Sequence, residues 1–410
     1  MATTARRGAL RTVYALLVLD LLAAACAVEA SSSSGPPGVP TSASVSSSAS
    51  PSASPSPTTT PSAPATGAPS SGPGKGARPV RLAFAGDVHF ERRAAELLDD
   101  PGPLADAVRE TLGAADFAMV NLETALGTGG APLPGKKYTF RAPVSALGTL
   151  AAAGVDAVSL ANNHAVDFGG EVLAQTLAAR ETSPIPLVGI GRDVDDAFTP
   201  LRVEIEGVRF AVLASSQVRD ETSLEHAATV SRPGIAAHLD LARLRRAVRE
   251  AAATSDVVVV MLHWGTQYTR CADDRQRRTA QALAADGADI LVGGHAHRPQ
   301  GAGWTGRSYI GWGLGNVVWY HTEDGADESG VLTVEVDGDY ARSTTMADDV
   351  PGRAARERSV VVAHTWTPML VGQDGVPRVT DDRSTARLTA AWDVATECGD
   401  LAAAPLRRPG

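Results

Sequence analysis

Two histidines one residue apart, His295 and His297, follow an apolar run, Ile290-Leu291-Val292, and two glycines, Gly293-Gly294. Neutral imidazoles at that spacing can serve two neighbouring metal ions, or one ion and a proton transfer. Alone, such a pair is weak evidence, because histidine is often a hydrogen-bonded structural residue. Four other apolar runs end in residues of the same kind: Asp87-Val88-His89, Asn121-Leu122-Glu123, Asn162-Asn163-His164 and His263-Trp264. Two carboxylates, one or two amides and up to five imidazoles suit a pair of divalent ions such as Mn, Fe or Zn. Ca would ask for oxygen ligands throughout. A carboxylate between two ions can bridge them, and ions ~3.5–4 Å apart can hold a hydroxide and both oxygens of a phosphoester for in-line displacement. An imidazole that binds no metal can protonate the leaving oxygen.

Strands must carry these residues to one place. Apolar runs at 80–85, 116–120, 155–160, 256–262 and 290–292 read as buried strands, each running into one of the clusters. Helical patterns at 104–112, 144–153, 171–180, 239–252 and 275–285 lie between them. Residues 201–205 and 208–213 alternate around Glu206-Gly207, the pattern of a β-hairpin. Further strands are predicted at 308–312, 316–319 and 331–336. The order gives an α/β protein with mixed sheets, and sites in such folds sit at the carboxyl ends of the strands. Gly293 and Gly294 read as residues that let the chain turn sharply there. Beyond Val350 the pattern thins to short strands at 360–363, 369–371 and 376–379 and a helix at 388–395. Residues 348–410 are read as a C-terminal extension packing on the core.

Other residues carry more than one reading. Asp87 alone would be a helix cap. Trp264 reads as a wall of the site. Lys137 and Arg141 can clamp a phosphate or an anionic chain through charge-assisted bonds, or lie on a solvated loop. Gly313-Leu314-Gly315-Asn316 reads as a turn that brings backbone near the site. The formal charge is −9, and no basic run follows the first residues, which argues against nucleic-acid binding. Cys271 and Cys398 can pair outside the cytoplasm, but only spatial proximity decides it. Neither belongs to a C-x-x-C arrangement, so no thiolate zinc site is indicated.

Residues 1–30 have the parts of a secretory signal: Arg6, Arg7 and Arg11, then an apolar run broken by Asp20, then Ala23-Ala24-Ala25 before Cys26. The stretch Leu22 to Cys26 resembles a bacterial lipobox, which implies lipidation of Cys26 and attachment to the membrane. Plain cleavage and an uncleaved anchor are the alternatives. Residues 31–78 are almost wholly Ser, Pro, Thr, Ala and Gly, a composition that cannot bury enough apolar surface to fold and that forms an extended spacer.

The clusters occur in the order found in calcineurin-like metallophosphoesterases. More closely, GDVHF (86–90), NLET (121–124), YTFRAP (138–143), ANNHAVDFG (161–169), HWGTQY (263–268) and GGHAH (293–297) resemble the CapA family of poly-γ-glutamate capsule proteins. The resemblance covers roughly residues 78–346, places the domain at 79–347 and implies a metallophosphoesterase-like α/β/β/α sandwich with mixed sheets. It assigns Asp87, His89 and His297 to a first metal and Asn163, His263 and His295 to a second. Glu123 takes the bridging position, with Asn121 as the alternative aligned residue, and His164 takes that of the acid beside the leaving group. In the wider superfamily an acidic residue follows that histidine. Here Ala165 does, and Asp167 stands three positions on to do its orienting work. The resemblance further implies an extracytoplasmic, membrane-attached protein acting in synthesis, export or anchoring of an anionic envelope polymer. Its partners would be that polymer or a phosphoester, and the membrane-bound subunits of a polymer synthase. The alternatives are a non-catalytic assembly factor and a secreted metal-dependent phosphodiesterase unrelated to capsule.

Overall fold

β1 (Val80–Val88) is the strand around which the larger sheet is built, and its side chains explain the layering. Leu82 and Phe84 pack in one apolar cluster with Phe210, Val212 and Val259, while Ala83 and Ala85 pack in another with Leu104, Leu147 and Leu150. A strand covered on both faces reads as an unbroken apolar run, as this one does. The computed structural model describes residues 78–345 and 356–406. The signal, Cys26 and nearly all of the linker lie outside the described residues, as does the boundary drawn at 347. Among the described residues no helix is long and apolar enough to cross a membrane.

Parallel to β1 run β2 (Phe117–Leu122), β3 (Ala157–Ser159) and β4 (Leu187–Val188), in that order. The second sheet holds six strands: β5 (Leu201–Ile205), β6 (Val208–Ser216), β7 (Val257–His263), β8 (Ile290–Gly294), β9 (Ala302–Thr305) and β10 (Ser308–Gly311). Their order is β9-β10-β8-β7-β6-β5, with antiparallel strands at both edges. β5 and β6 form the predicted hairpin, turning through Glu206 (φ 51°) and Gly207 (φ 72°). The chain then returns to the first sheet. β11 (Asn316–Val318) joins β1 in parallel, and β12 (Glu328–Val336) pairs with it antiparallel.

Helices α1 (Gly102–Val108), α2 (Ala146–Ala152) and α3 (Gly169–Ala179) cover the larger sheet through Leu104, Leu147 and Leu173. Helices α4 (Ala242–Thr254) and α5 (Asp274–Ala285) cover the smaller one through Leu244, Val248 and Leu283. The layers therefore run helix, sheet, sheet, helix: an α/β/β/α sandwich with mixed sheets.

Residues 356–406 add to this frame. The apolar stretches read as two short strands are one, β13 (Val361–Val371), paired with β12 from Glu328↔Leu370 to Val336↔Val361. β14 (Pro377–Val379) extends the sheet to eight strands. After α6 (Gly338–Ser343), the last helix, α7 (Asp382–Cys398), lays Trp392 flat on Trp366 at 3.9 Å. Cys398 at its end pairs with Cys271, with Cα atoms 5.5 Å apart.

Candidate metal centre

Strand register brings the candidate residues to one level. Asp87 on β1 lies opposite Asn121 on β2 and Asn316 on β11, and Asn121 lies opposite Ser159 on β3. On the other sheet, His263 at the end of β7 lies opposite Gly294 at the end of β8. The carboxyl ends of both sheets thus meet at one edge of the sandwich. The sharp turn expected at Gly293-Gly294 falls instead on the histidines, His295 at φ 85° and His297 at φ 53°. Left-handed backbone at non-glycine residues costs about 1–3 kcal/mol each and persists where surrounding contacts impose it. One such contact is the His295 amide, which donates to Asp87 Oδ2 at 2.9 Å. The glycines are required by space. A Cβ at 294 would lie 2.4 Å from Asp87 Oδ1, and one at 293 would lie 2.0 Å from the Trp312 carbonyl oxygen.

Two groups of metal-binding type share one carboxylate: Asp87, Glu123 and His297 in the first, Glu123, His263 and His295 in the second. Within each, the donor atoms lie within 4.8 Å of one another. Glu123 is common to both groups, and of the first set that the family resemblance assigned, His89 is not among the donors. Around His263 Nε2 stand Asn163 Oδ1 at 2.7 Å, His295 Nδ1 at 3.2 Å and Glu123 Oε1 at 3.3 Å. His297 Nδ1 lies 2.9 Å from Asn316 Oδ1 and 3.3 Å from Asp87 Oδ2. Asn121 donates to Asp87 Oδ1 at 2.8 Å, and Asn162 donates to Asn121 Oδ1 at 3.1 Å, so the amides brace the Asp87 carboxylate from behind.

Burial opposes the charged form of Asp87, yet His297, His263 and the His295 amide hold its carboxyl far below the usual range. Burial also opposes protonation of His297, but Glu123 and Asp87 push it up to about 9. His295 is driven well below its ordinary value by burial and by the imidazoles beside it. Glu123 is fully buried, and neither of its oxygens has a hydrogen-bond partner. A buried carboxylate in that condition is costly unless a cation meets it. Nitrogen and oxygen donors converging on that carboxylate fit divalent ions.

Next to these groups His164 and Asp167 form a buried pair. His164 Nδ1 lies 2.6 Å from Asp167 Oδ2, and His164 Nε2 lies 3.8 Å from Glu123 Oε1. Phe140 stacks on the His164 ring at 4.3 Å, and its amide donates to Asp167 Oδ2 at 2.7 Å. Lys136 lies 2.5 Å from Asp167 Oδ1 and 3.2 Å from Asp220, and donates to the Asn163 carbonyl and to Thr222 Oγ1.

Four candidates stand apart. His89 belongs to neither group: its Nδ1 accepts the Glu91 amide at 3.1 Å and its ring lies 4.1 Å from Trp319 and 4.6 Å from Phe140. Its Nε2 is buried without a hydrogen-bond partner. Trp264 is not a wall of the site. It is 0 % exposed, packs on Trp312 and donates to that residue's carbonyl at 2.8 Å. Lys137 lies at the surface over Tyr138, while its neighbour Lys136 is the lysine that turns inward. Arg141 is exposed and lies over the Phe168 ring at 4.3 Å. Asn121 and Asn162, which stand in the clusters read from the sequence, brace the site through their amides, and Lys136 and Asn316 join it from positions given no role there. For Asn316 the signal was its place at the end of a glycine turn.

Comparison with known proteins bears on the same stretch. The chain is 33% identical over 171 residues to a PGA biosynthesis protein, CapA, of Bacillus subtilis, covering 40% of this chain and 44% of that one. It is 32% identical over 181 residues to a capsule biosynthesis protein, CapA, of Bacillus anthracis, covering 42% and 43%. A probable polyglutamine synthesis accessory protein of Mycobacterium tuberculosis is 28% identical over 223 residues, covering 53% and 59%. The matched stretch spans about half the length of these relatives. Among solved structures, a phosphatase of Mycoplasma pneumoniae overlaps 71% of this chain and 94% of its own at 14% identity, with a TM-score of 0.44. The model of the family described as bacterial capsule synthesis protein PGA_cap matches residues 81–321, a span that takes in every residue of the two donor groups. The chain belongs to that family.

Proposed function

We propose that the protein acts in the synthesis of poly-γ-glutamate or a similar anionic envelope polymer through a dinuclear metal hydrolase site. The observation that carries the hydrolytic part is Glu123, a buried carboxylate without hydrogen-bond partners, common to two groups of imidazole and carboxylate donors. Asp87, His297 and Glu123 would hold one Mn, Fe or Zn ion, and Glu123, His263, His295 and Asn163 the other. Two such ions supply a hydroxide at neutral pH and offset the charge of a phosphoryl group. The remaining residues handle the proton. Asp167 holds His164 by Nδ1, which leaves Nε2 to give a proton to a leaving oxygen. Lys136 holds Asp167, and Phe140 fixes the plane of the imidazole.

The relatives' names place them in PGA, capsule and polyglutamine synthesis, which supports a role of that kind here and a synthase complex as partner. The signal-like residues 1–30 and Cys26 support tethering at the outer face of the membrane, with residues 31–78 as spacer. The test is complementation of a strain that lacks the protein. Wild type restores polymer, whereas Asp87→Ala and His164→Ala do not. Purified His164→Ala keeps its metal but hydrolyses bis-p-nitrophenyl phosphate about 10²–10⁴-fold more slowly. Full restoration by both variants would exclude hydrolysis and leave a non-catalytic assembly role.

A further inference from the structure

We propose that the cleft over the metal centre receives a ring-bearing phosphoester, its ring lying against the tyrosines at the mouth and its phosphoryl group at the histidines beneath. This rests on the metallohydrolase reading and names the substrate class. The cleft has a volume of about 110 Å³, which is the scale of a pocket that accepts one small ring rather than a whole drug-sized molecule, ~300 Å³ or more. Its floor includes His164 and His297, so a group bound there reaches the candidate catalytic residues directly.

The walls are aromatic: Tyr138, Phe140, Tyr268, Trp319 and Tyr320. Tyr138 and Tyr268 are each 52% exposed, a large apolar face left to solvent at the entrance. Tyr268 is held at φ 62°, and its amide donates to the Ala296 carbonyl at 2.7 Å. Strained backbone of this kind clusters at ligand clamps. Among the described residues, no Asp, Glu, Lys or Arg lines the cleft. The nearby cations are turned onto rings instead, Lys137 over Tyr138 at 4.9 Å and Arg92 over Tyr320 at 4.4 Å. A polyanionic chain calls for guanidinium and ammonium groups along its path. A ring calls for flat faces, and the five aromatic side chains of the walls offer them, beside the polar Gln267 and His321.

The test compares phenylphosphonate with methylphosphonate on the full-length protein loaded with Mn²⁺, by isothermal titration. Both ligands carry the same anionic head, and only one carries a ring. The expected result is roughly tenfold tighter binding of phenylphosphonate, in line with stacking on aromatic side chains. In the Tyr138→Ala/Tyr268→Ala double variant that ratio falls to near one, while Mn²⁺ content and methylphosphonate affinity stay as in wild type. Equal affinities in wild type, or a ratio unchanged in the variant, would overturn the inference. So would a γ-glutamyl trimer that binds as tightly as phenylphosphonate and loses that affinity in the same variant. If the loaded protein binds neither phosphonate, the metallohydrolase reading fails as well, and the two failures are told apart.

Discussion

His295 and His297 are held by their backbones before any ligand is considered. Both stand at positive φ, and Asp87 receives the His295 amide while its other oxygen lies where a side chain at 294 would be. Gly294→Ala is therefore expected to displace the Asp87 carboxylate, at a cost of about 1–3 kcal/mol for an overpacked core site. Calorimetric titration with Mn²⁺ should show affinity at least tenfold weaker, with the circular dichroism spectrum unchanged. The ligand-type residues were legible in the sequence because acids, amides and imidazoles are rare at the ends of buried strands. The reason for the glycines was not legible, since it depends on Asp87, more than 200 residues away. Nor was the choice between Lys136 and Lys137. Adjacent lysines share the same sequence surroundings, and only the positions of Asp167 and Asp220 decide which one is buried.

Among the elements, those with strong local signals agree with expectation. β7 is an uninterrupted apolar run, and the β5–β6 hairpin turns on Glu206-Gly207 as its spacing indicates. β13 was harder to read because Ala363, His364 and Thr365, within an exposed run at 362–365, break the apolar pattern in the middle. Its continuity comes from pairing with β12, a tertiary cause. The loop after β7 carries Gln267 and Tyr268 to the cleft and ends at Cys271, tied to α7 through a disulfide that spans 127 residues of sequence. Replacing both cysteines by serine is expected to lower unfolding free energy by about 2–5 kcal/mol, read from denaturant midpoints. An unchanged midpoint would mean that the packing of α7 alone holds this edge.

At the scale of the whole molecule, neither sheet owns the site. The first donor group joins Asp87 and Glu123 of the larger sheet to His297 of the smaller, and the second joins Glu123 to His263 and His295. Each candidate ion would bridge the two halves of the sandwich, so metal binding and the stability of the sheet interface would be coupled. The family resemblance implied that sharing, because it assigned Asp87, from an early strand end, and His297, from a late one, to the same ion. It said nothing of the aromatic cleft, whose rings come from three separate loops. Glu123 is the joint on which the two-metal reading depends. The most direct test is metal content per chain, measured by plasma mass spectrometry on Mn²⁺-loaded, dialysed protein, wild type against Glu123→Gln. About two ions per wild-type chain are expected, with at least one lost in the variant, which keeps the side-chain length and removes the shared charge. A wild-type chain that retains no ion, or a Glu123→Gln chain that retains as many as wild type, would contradict a dinuclear centre built on Glu123.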